Sequence, residues 1–174
     1  KNGFEVTVLP VDREGFVSPE ALDAAIRPDT TLVSILFANN EIGTIEPVKE
    51  IGRIAHDHGI LFHTDAVQAY GHVGIDVNDM NIDLMSVSGH KINAPKGVGF
   101  LYIRSGVRIE PFVHGGAQER GKRAGTTNVP GIIGFGKATE LAAGTLTMRA
   151  AYESELRDYL ISRIENEIQY SILN

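Results

Sequence analysis

The sequence predicts an α/β fold in which a mainly parallel sheet is flanked by helices. Two observations carry this. Short apolar runs alternate along the chain with stretches of helical periodicity, which open on proline or a small polar cap. The run Leu32-Val33-Ser34-Ile35-Leu36-Phe37 is nearly unbroken by polar residues, the pattern of a strand covered on both faces.

Taken in order, Phe4-Glu5-Val6-Thr7-Val8-Leu9 reads as a strand with polar residues interleaved. Ser18 followed by Pro19 forms a helix cap and first-turn proline, leading into Leu22, Ala25 and Ile26. The Leu32–Phe37 run follows as the second strand. Pro47 opens a helix whose apolar face is Val48, Ile51, Ile54 and Ala55, and Gly59 ends it. Ile60–His63, Leu84–Ser88 and Val98–Ile103 are the remaining strands. From about Gly131 the chain is mostly helical, with Leu156, Leu160, Ile164 and Ile168 four residues apart.

Composition narrows the function. The 174 residues carry 16 Lys+Arg against 22 Asp+Glu, a net charge of −6 with no basic block, which argues against nucleic acid as a partner. Zero Cys excludes a disulfide framework, a Cys-ligated metal and a thiol nucleophile supplied by this chain. No apolar run has the length of a membrane span and no cationic, apolar leader opens the chain, so a cytoplasmic location and no membrane partner are expected. The chain starts at Lys1 rather than Met and ends in near-helical pattern, as a segment of something longer would.

In parallel sheets ligands collect beyond the carboxyl ends of the strands. Uncommon polar groups follow three of the runs there: Asn39-Asn40-Glu41, then Asp65 and Gln68, then Ser88-Gly89-His90-Lys91. A lysine directly after a buried strand is either a loop residue in solvent or, tethered into a crevice that desolvates it, a Schiff-base amine. Asp65 is either a helix cap or a carboxylate paired with a protonated pyridine nitrogen. Gln68, about one turn further on, can face the same crevice and donate to a phenolic oxygen. Ser88 and His90 either cap the strand end or, with Gly89, hold a phosphate. Asn40 is a turn residue or projects an amide into the site, and Glu41 is structural.

The glycine-rich, basic segment Gly115–Asn128 is a mobile loop or an anion-binding one. It lacks P-loop or dinucleotide spacing. His56 and His58, two apart on a helix, point to different faces. His63, Asp65 and His90 lack the spacing of a zinc-binding pair, so no metal site is expected.

Together Asn39-Asn40-Glu41-Ile42-Gly43, His63-Thr64-Asp65-Ala66-Val67-Gln68, Ser88-Gly89-His90-Lys91 with Pro95-Lys96-Gly97, and Gly115-Gly116…Gln118-Glu119-Arg120…Arg123-Ala124-Gly125-Thr126 resemble the cysteine desulfurases of the NifS/IscS type, in the class V aminotransferase group. These depend on pyridoxal 5'-phosphate. The resemblance implies part of the large domain of a fold-type I transferase, with residues 1–145 in the cofactor-binding domain and 146–174 a helix leading toward a C-terminal small domain.

By the same resemblance Lys91 binds the cofactor aldehyde and later serves as general base, Asp65 pairs with the pyridine nitrogen, and Gln68 and Asn40 lie at the phenolic oxygen. Ser88 and His90 contact the phosphate. Thr126 reaches the phosphate of a neighbouring subunit, which implies a homodimer with shared active sites. The implied reaction takes sulfur from L-cysteine, leaving alanine and an enzyme persulfide that passes to a sulfur-acceptor or iron–sulfur scaffold protein. With no Cys, the persulfide-forming thiol lies outside these 174 residues, and the chain alone is expected to be inactive. Other readings are another class V enzyme, such as an aminotransferase or selenocysteine lyase, and a non-catalytic scaffold or dimerisation domain. The joint presence of Lys91, Asp65 and Gln68 opposes the last.

Overall fold

A computed structural model of the protein describes residues 3–173. It contains a four-stranded sheet in the order β1 (Leu32–Leu36), β2 (Leu61–Asp65), β3 (Leu84–Ser88) and β4 (Gly99–Ile103). β1, β2 and β3 are parallel, and β4 returns antiparallel to β3. The helices are α1 (Pro19–Ala25), α2 (Val48–Asp57) and α3 (Val129–Glu167), with short 3-10 helices at Gly89–Ile92 and Gln118–Gly121.

Local chemistry sets most of these boundaries. Ser18 caps α1 by accepting a hydrogen bond from Ala21 N at 3.2 Å, with Pro19 at the first helical position and Leu22 buried. α2 buries Val48, Ile51, Ile54 and Ala55, the face that the sequence periodicity marks, and Gly59 leaves the helix at φ +70°. α2 also lies close to the turn before β3: a Cβ on Gly52 would sit 2.0 Å from the Met80 carbonyl oxygen, so only glycine allows this approach.

One face of the sheet is covered. Val33, Phe62, Met85 and Val87 are buried there beneath α2, the turn after β2 and α3. At the β4 end Phe100 meets Tyr70 edge-on (centroids 5.3 Å apart) and stacks on Phe135 of α3 (5.6 Å), which docks the start of α3 onto the sheet. At the end of the sheet where β3 begins, Arg104 fixes the register of three strands. Its Nε lies 2.9 Å from Asp83 Oδ1, while Asp83 Oδ2 accepts from Phe62 N at 2.9 Å.

Three features differ from the sequence reading. Residues 4–9 form no strand: Phe4, Val6 and Val8 are all exposed, and no strand pairs with the segment among the described residues. Alternation marks strand propensity, but a strand exists only where a neighbouring edge takes up its backbone hydrogen bonds. β1 likewise is not buried on both faces. It is an edge strand with Leu32 (47% exposed) and Leu36 (37%) on the largely open side of the sheet. β2 starts one residue later and ends two residues later than the expected Ile60–His63, so Asp65 is its last member.

α3 has 39 residues, about 58 Å at 1.5 Å per residue, and the 145/146 division falls inside it. Phe135, Ala138 and Ala142 are buried, whereas Leu156, Leu160 and Ile164 toward its end are exposed, as is Ile168 just beyond it.

Candidate active site at the carboxyl end of the sheet

The strand ends place the predicted groups. Asp65 closes β2, in register with Leu36 of β1 and Ser86 of β3. It is held there by backbone bonds on both sides: Phe37 N donates to the Asp65 carbonyl at 2.8 Å, and Ala66 N donates to the Ser86 carbonyl at 2.9 Å. Asp65 Oδ1 accepts from Val67 N at 3.0 Å, the capping role, and leaves Oδ2 without a protein hydrogen bond among the described residues.

The chain then makes a tight turn. Ala69 N and Tyr70 N both donate to the Ala66 carbonyl, and Ala66 and Ala69 are wholly buried. These two alanines anchor the turn in the core and leave Gln68 half-buried at its edge.

β3 ends at Ser88 and passes directly into the 3-10 helix that carries Lys91. Gly89 and Ile92 are its buried positions, so His90 is exposed and Lys91 half-buried. Glycine at position 89 follows from contact: a Cβ would lie 3.0 Å from Ala94 Cβ and 3.1 Å from the Val98 carbonyl oxygen. Ser88 Oγ and His90 Nδ1 are 2.7 Å apart, a hydroxyl–imidazole pair at the strand end. Lys91 has no carboxylate in ion-pair range among the described residues. Its amine is therefore not held by an acidic neighbour.

Asn40 lies beyond β1, exposed. The turn chemistry belongs to Asn39, whose Oδ1 accepts from Glu41 N (2.8 Å) and Ile42 N (3.1 Å), so the Asn40 amide is not used in holding the loop. Thr126 stands exposed on the glycine-rich segment and makes no hydrogen bond to the other site residues among those described. Within that segment Gln118 Oε1 accepts from Gly125 N at 3.1 Å, and Glu119 and Arg120 both adopt left-handed backbone angles. His56 and His58 are exposed on α2, where His58 Nε2 sits 2.7 Å from Asp23 Oδ1. No cluster of His, Asp and Glu able to hold a metal ion occurs among the described residues. A cavity of about 640 Å³ beside α2, lined by Phe37, Val48, Arg53, Val73 and Met80 among others, holds none of the predicted site residues.

Sequence reading overlooks a histidine bridge beneath the site. Ser34 Oγ lies 2.8 Å from His63 Nδ1, and Ser86 Oγ lies 2.9 Å from His63 Nε2. One imidazole thus spans β1, β2 and β3, two residues before Asp65 on the same face. Only the shared strand period of serine and histidine hints at it, and nothing in the sequence pairs the strands.

Burial lowers the His63 pKa below its ordinary value of 6.5, opposed by the Asp65 carboxylate, which raises it. A histidine so depressed takes up protons more readily when unfolded, so stability rises with pH across this window. The stabilisation is complete above about pH 6.5 and is lost as pH falls through the folded-state pKa. Urea midpoints measured from about pH 8 to about pH 5 are expected to fall more steeply for the native protein than for His63→Gln. Parallel profiles would refute the assignment.

The whole chain, residues 1–174, matches the Aminotransferase class-V family. It is 64% identical over 159 residues to cysteine desulfurase IscS of Methanosarcina thermophila, covering 91% of this chain and 39% of that protein. Among solved structures, a NifS-like protein superposes with a TM-score of 0.90 at 46% identity, over 95% of this chain and 46% of the other. A structure titled SspA in complex with cysteine gives 0.78 at 48% identity, over 79% and 40%. The chain therefore spans less than half the length of these relatives.

Proposed function

Since the chain belongs to the class-V aminotransferase family, we propose that it is the cofactor-binding segment of a cysteine desulfurase that uses pyridoxal 5'-phosphate. The observation that carries the reading is the convergence of Asp65, Gln68 and Lys91 on one end of the sheet: a strand-end carboxylate and a half-buried amide beside a half-buried lysine, with Asp65 Oδ2 unbonded and Lys91 without an acidic partner among the described residues.

This donor set fits the cofactor group by group. An aldehyde needs an amine, which Lys91 supplies. A cationic ring nitrogen needs a carboxylate, which Asp65 offers through Oδ2. A phenolic oxygen accepts from an amide, the part of Gln68, with Asn40 beside it. A phosphate needs donors, and the Ser88 hydroxyl and His90 imidazole are already paired at 2.7 Å. When bound, the cofactor supplies an electron sink that makes the substrate Cα–H acidic.

The chain's own residues then have separate tasks. Asp65 keeps a negative charge where the ring nitrogen would carry a positive one. Lys91 Nζ would take up the substrate Cα proton as general base. Ser88 and His90 hold the anionic end. No cysteine is available here, so the thiolate that accepts sulfur belongs to residues beyond these 174. Residues 1–145 belong in this reading to the cofactor-binding domain, and 146–174 to the helix leading on from it.

L-cysteine as substrate is supported by the relatives, one of which is titled as a complex with cysteine. The homodimer with Thr126 shared between sites, the iron–sulfur scaffold acceptor and a cytoplasmic location rest on the family resemblance and belong to the same proposal. The test is product analysis on the full-length protein loaded with pyridoxal 5'-phosphate. L-cysteine is expected to yield alanine and sulfide in equal amounts under a reducing thiol. Transfer of the amino group to a keto acid, without sulfide, would instead make it an aminotransferase.

A further inference from the structure

We propose that His72 is a positioning residue for Lys91, fixing the backbone from which the reactive amine projects. The inference rests on Lys91 being the amine that takes the cofactor. His72 is half-buried, and its Nε2 lies 3.1 Å from the Lys91 carbonyl oxygen. A carbonyl only accepts, so Nε2 carries the proton. Lys91 is the next-to-last residue of its short 3-10 helix, where carbonyls have no partner within the helix. His72 supplies the missing donor.

Packing forces the contact. Gly71 has φ +77°, and a Cβ there would lie 2.7 Å from Ile92 Cγ2 and 3.2 Å from Ala142 Cβ. The turn after β2 is thus pressed against both the Lys91 helix and α3. From α3, Arg149 donates to the Gly71 carbonyl and secures the far side. The segment that begins at Asp65 and carries Gln68 therefore ends on the backbone of Lys91. Two stretches of chain that supply opposite parts of the site are locked together by one side-chain hydrogen bond.

The test compares native, His72→Phe, His72→Asn and His72→Gln forms of the full-length protein, each checked for native circular dichroism. Pyridoxal 5'-phosphate is added to the apo forms, and the visible band is followed as Lys91 Nζ condenses with the aldehyde and water leaves. A glutamine amide reaches about as far as Nε2, whereas asparagine falls short and phenylalanine has no donor. Attachment is expected to slow about three- to tenfold in His72→Phe and His72→Asn, the worth of one hydrogen bond. In His72→Gln it should return to within about twofold of native. The imidazole ¹⁵N spectrum of the apo protein should place a proton on Nε2.

Native rates in His72→Phe or His72→Asn, a His72→Gln as slow as they are, or a ring protonated on Nδ1 alone would each overturn the inference. Failure of the native protein to form the band is a different result: it removes the cofactor reading on which the inference stands.

Discussion

Lys91→Ala is expected to abolish covalent attachment of pyridoxal 5'-phosphate, with complete loss of the visible band and of borohydride-trapped label. The loss is expected to be all-or-none because the substitution removes the amine that would form the bond. Lys91 is the half-buried lysine of the helix after β3, while Lys96, five residues on, is exposed in the turn before β4. Folding should hardly change, since Lys91 makes no ion pair among the described residues and its backbone carbonyl, which His72 grips, is kept in alanine. A persistent band in Lys91→Ala would show that the amine lies elsewhere.

Asp65→Asn is the second large effect. Asparagine is nearly isosteric and its Oδ1 can still accept from Val67 N, so the turn and the fold are retained. Only the charge is lost. In the proposed reading Asp65 would hold the ring nitrogen cationic, so removal of the Cα proton should slow about a hundredfold to a thousandfold, the scale of deleting one preorganised electrostatic partner. The melting temperature should stay within a few degrees of native. Turnover within threefold of native would reduce Asp65 to a turn cap.

Much of this was legible in the residues, because it is local. The Ser18-Pro19 cap, the apolar face of α2 and the bounds of β3 are each set within a few residues of chain, by propensity and period alone. The placement of the candidate residues was legible for the same reason: polar groups directly after apolar runs lie at strand ends, and parallel pairing brings those ends to one edge of the sheet. What escaped reading depends on partners far away in sequence. Phe4–Leu9 alternates like a strand yet pairs with no strand among the described residues. Leu32 and Leu36 look like core but face outward, because burial depends on what covers the sheet. The His63 bridge needs register across three strands, and the His72 contact needs Gly71 pressed onto Ile92. No local pattern encodes either.

The reversal of direction at β4 has a mechanical consequence. Gly89 N bonds the Val98 carbonyl at 2.9 Å, so the hairpin bearing Lys91 is stitched to the same sheet at both ends. Such a loop is a fixed post rather than a hinged flap. In the proposed reading, the travel Lys91 Nζ would make between anchoring one molecule and taking a proton from another falls to rotation about its own four-carbon stem rather than to the loop. Rotation of that kind is far faster than the microsecond-to-millisecond motion of a hinged loop, so the fixed post leaves the stem as the moving part.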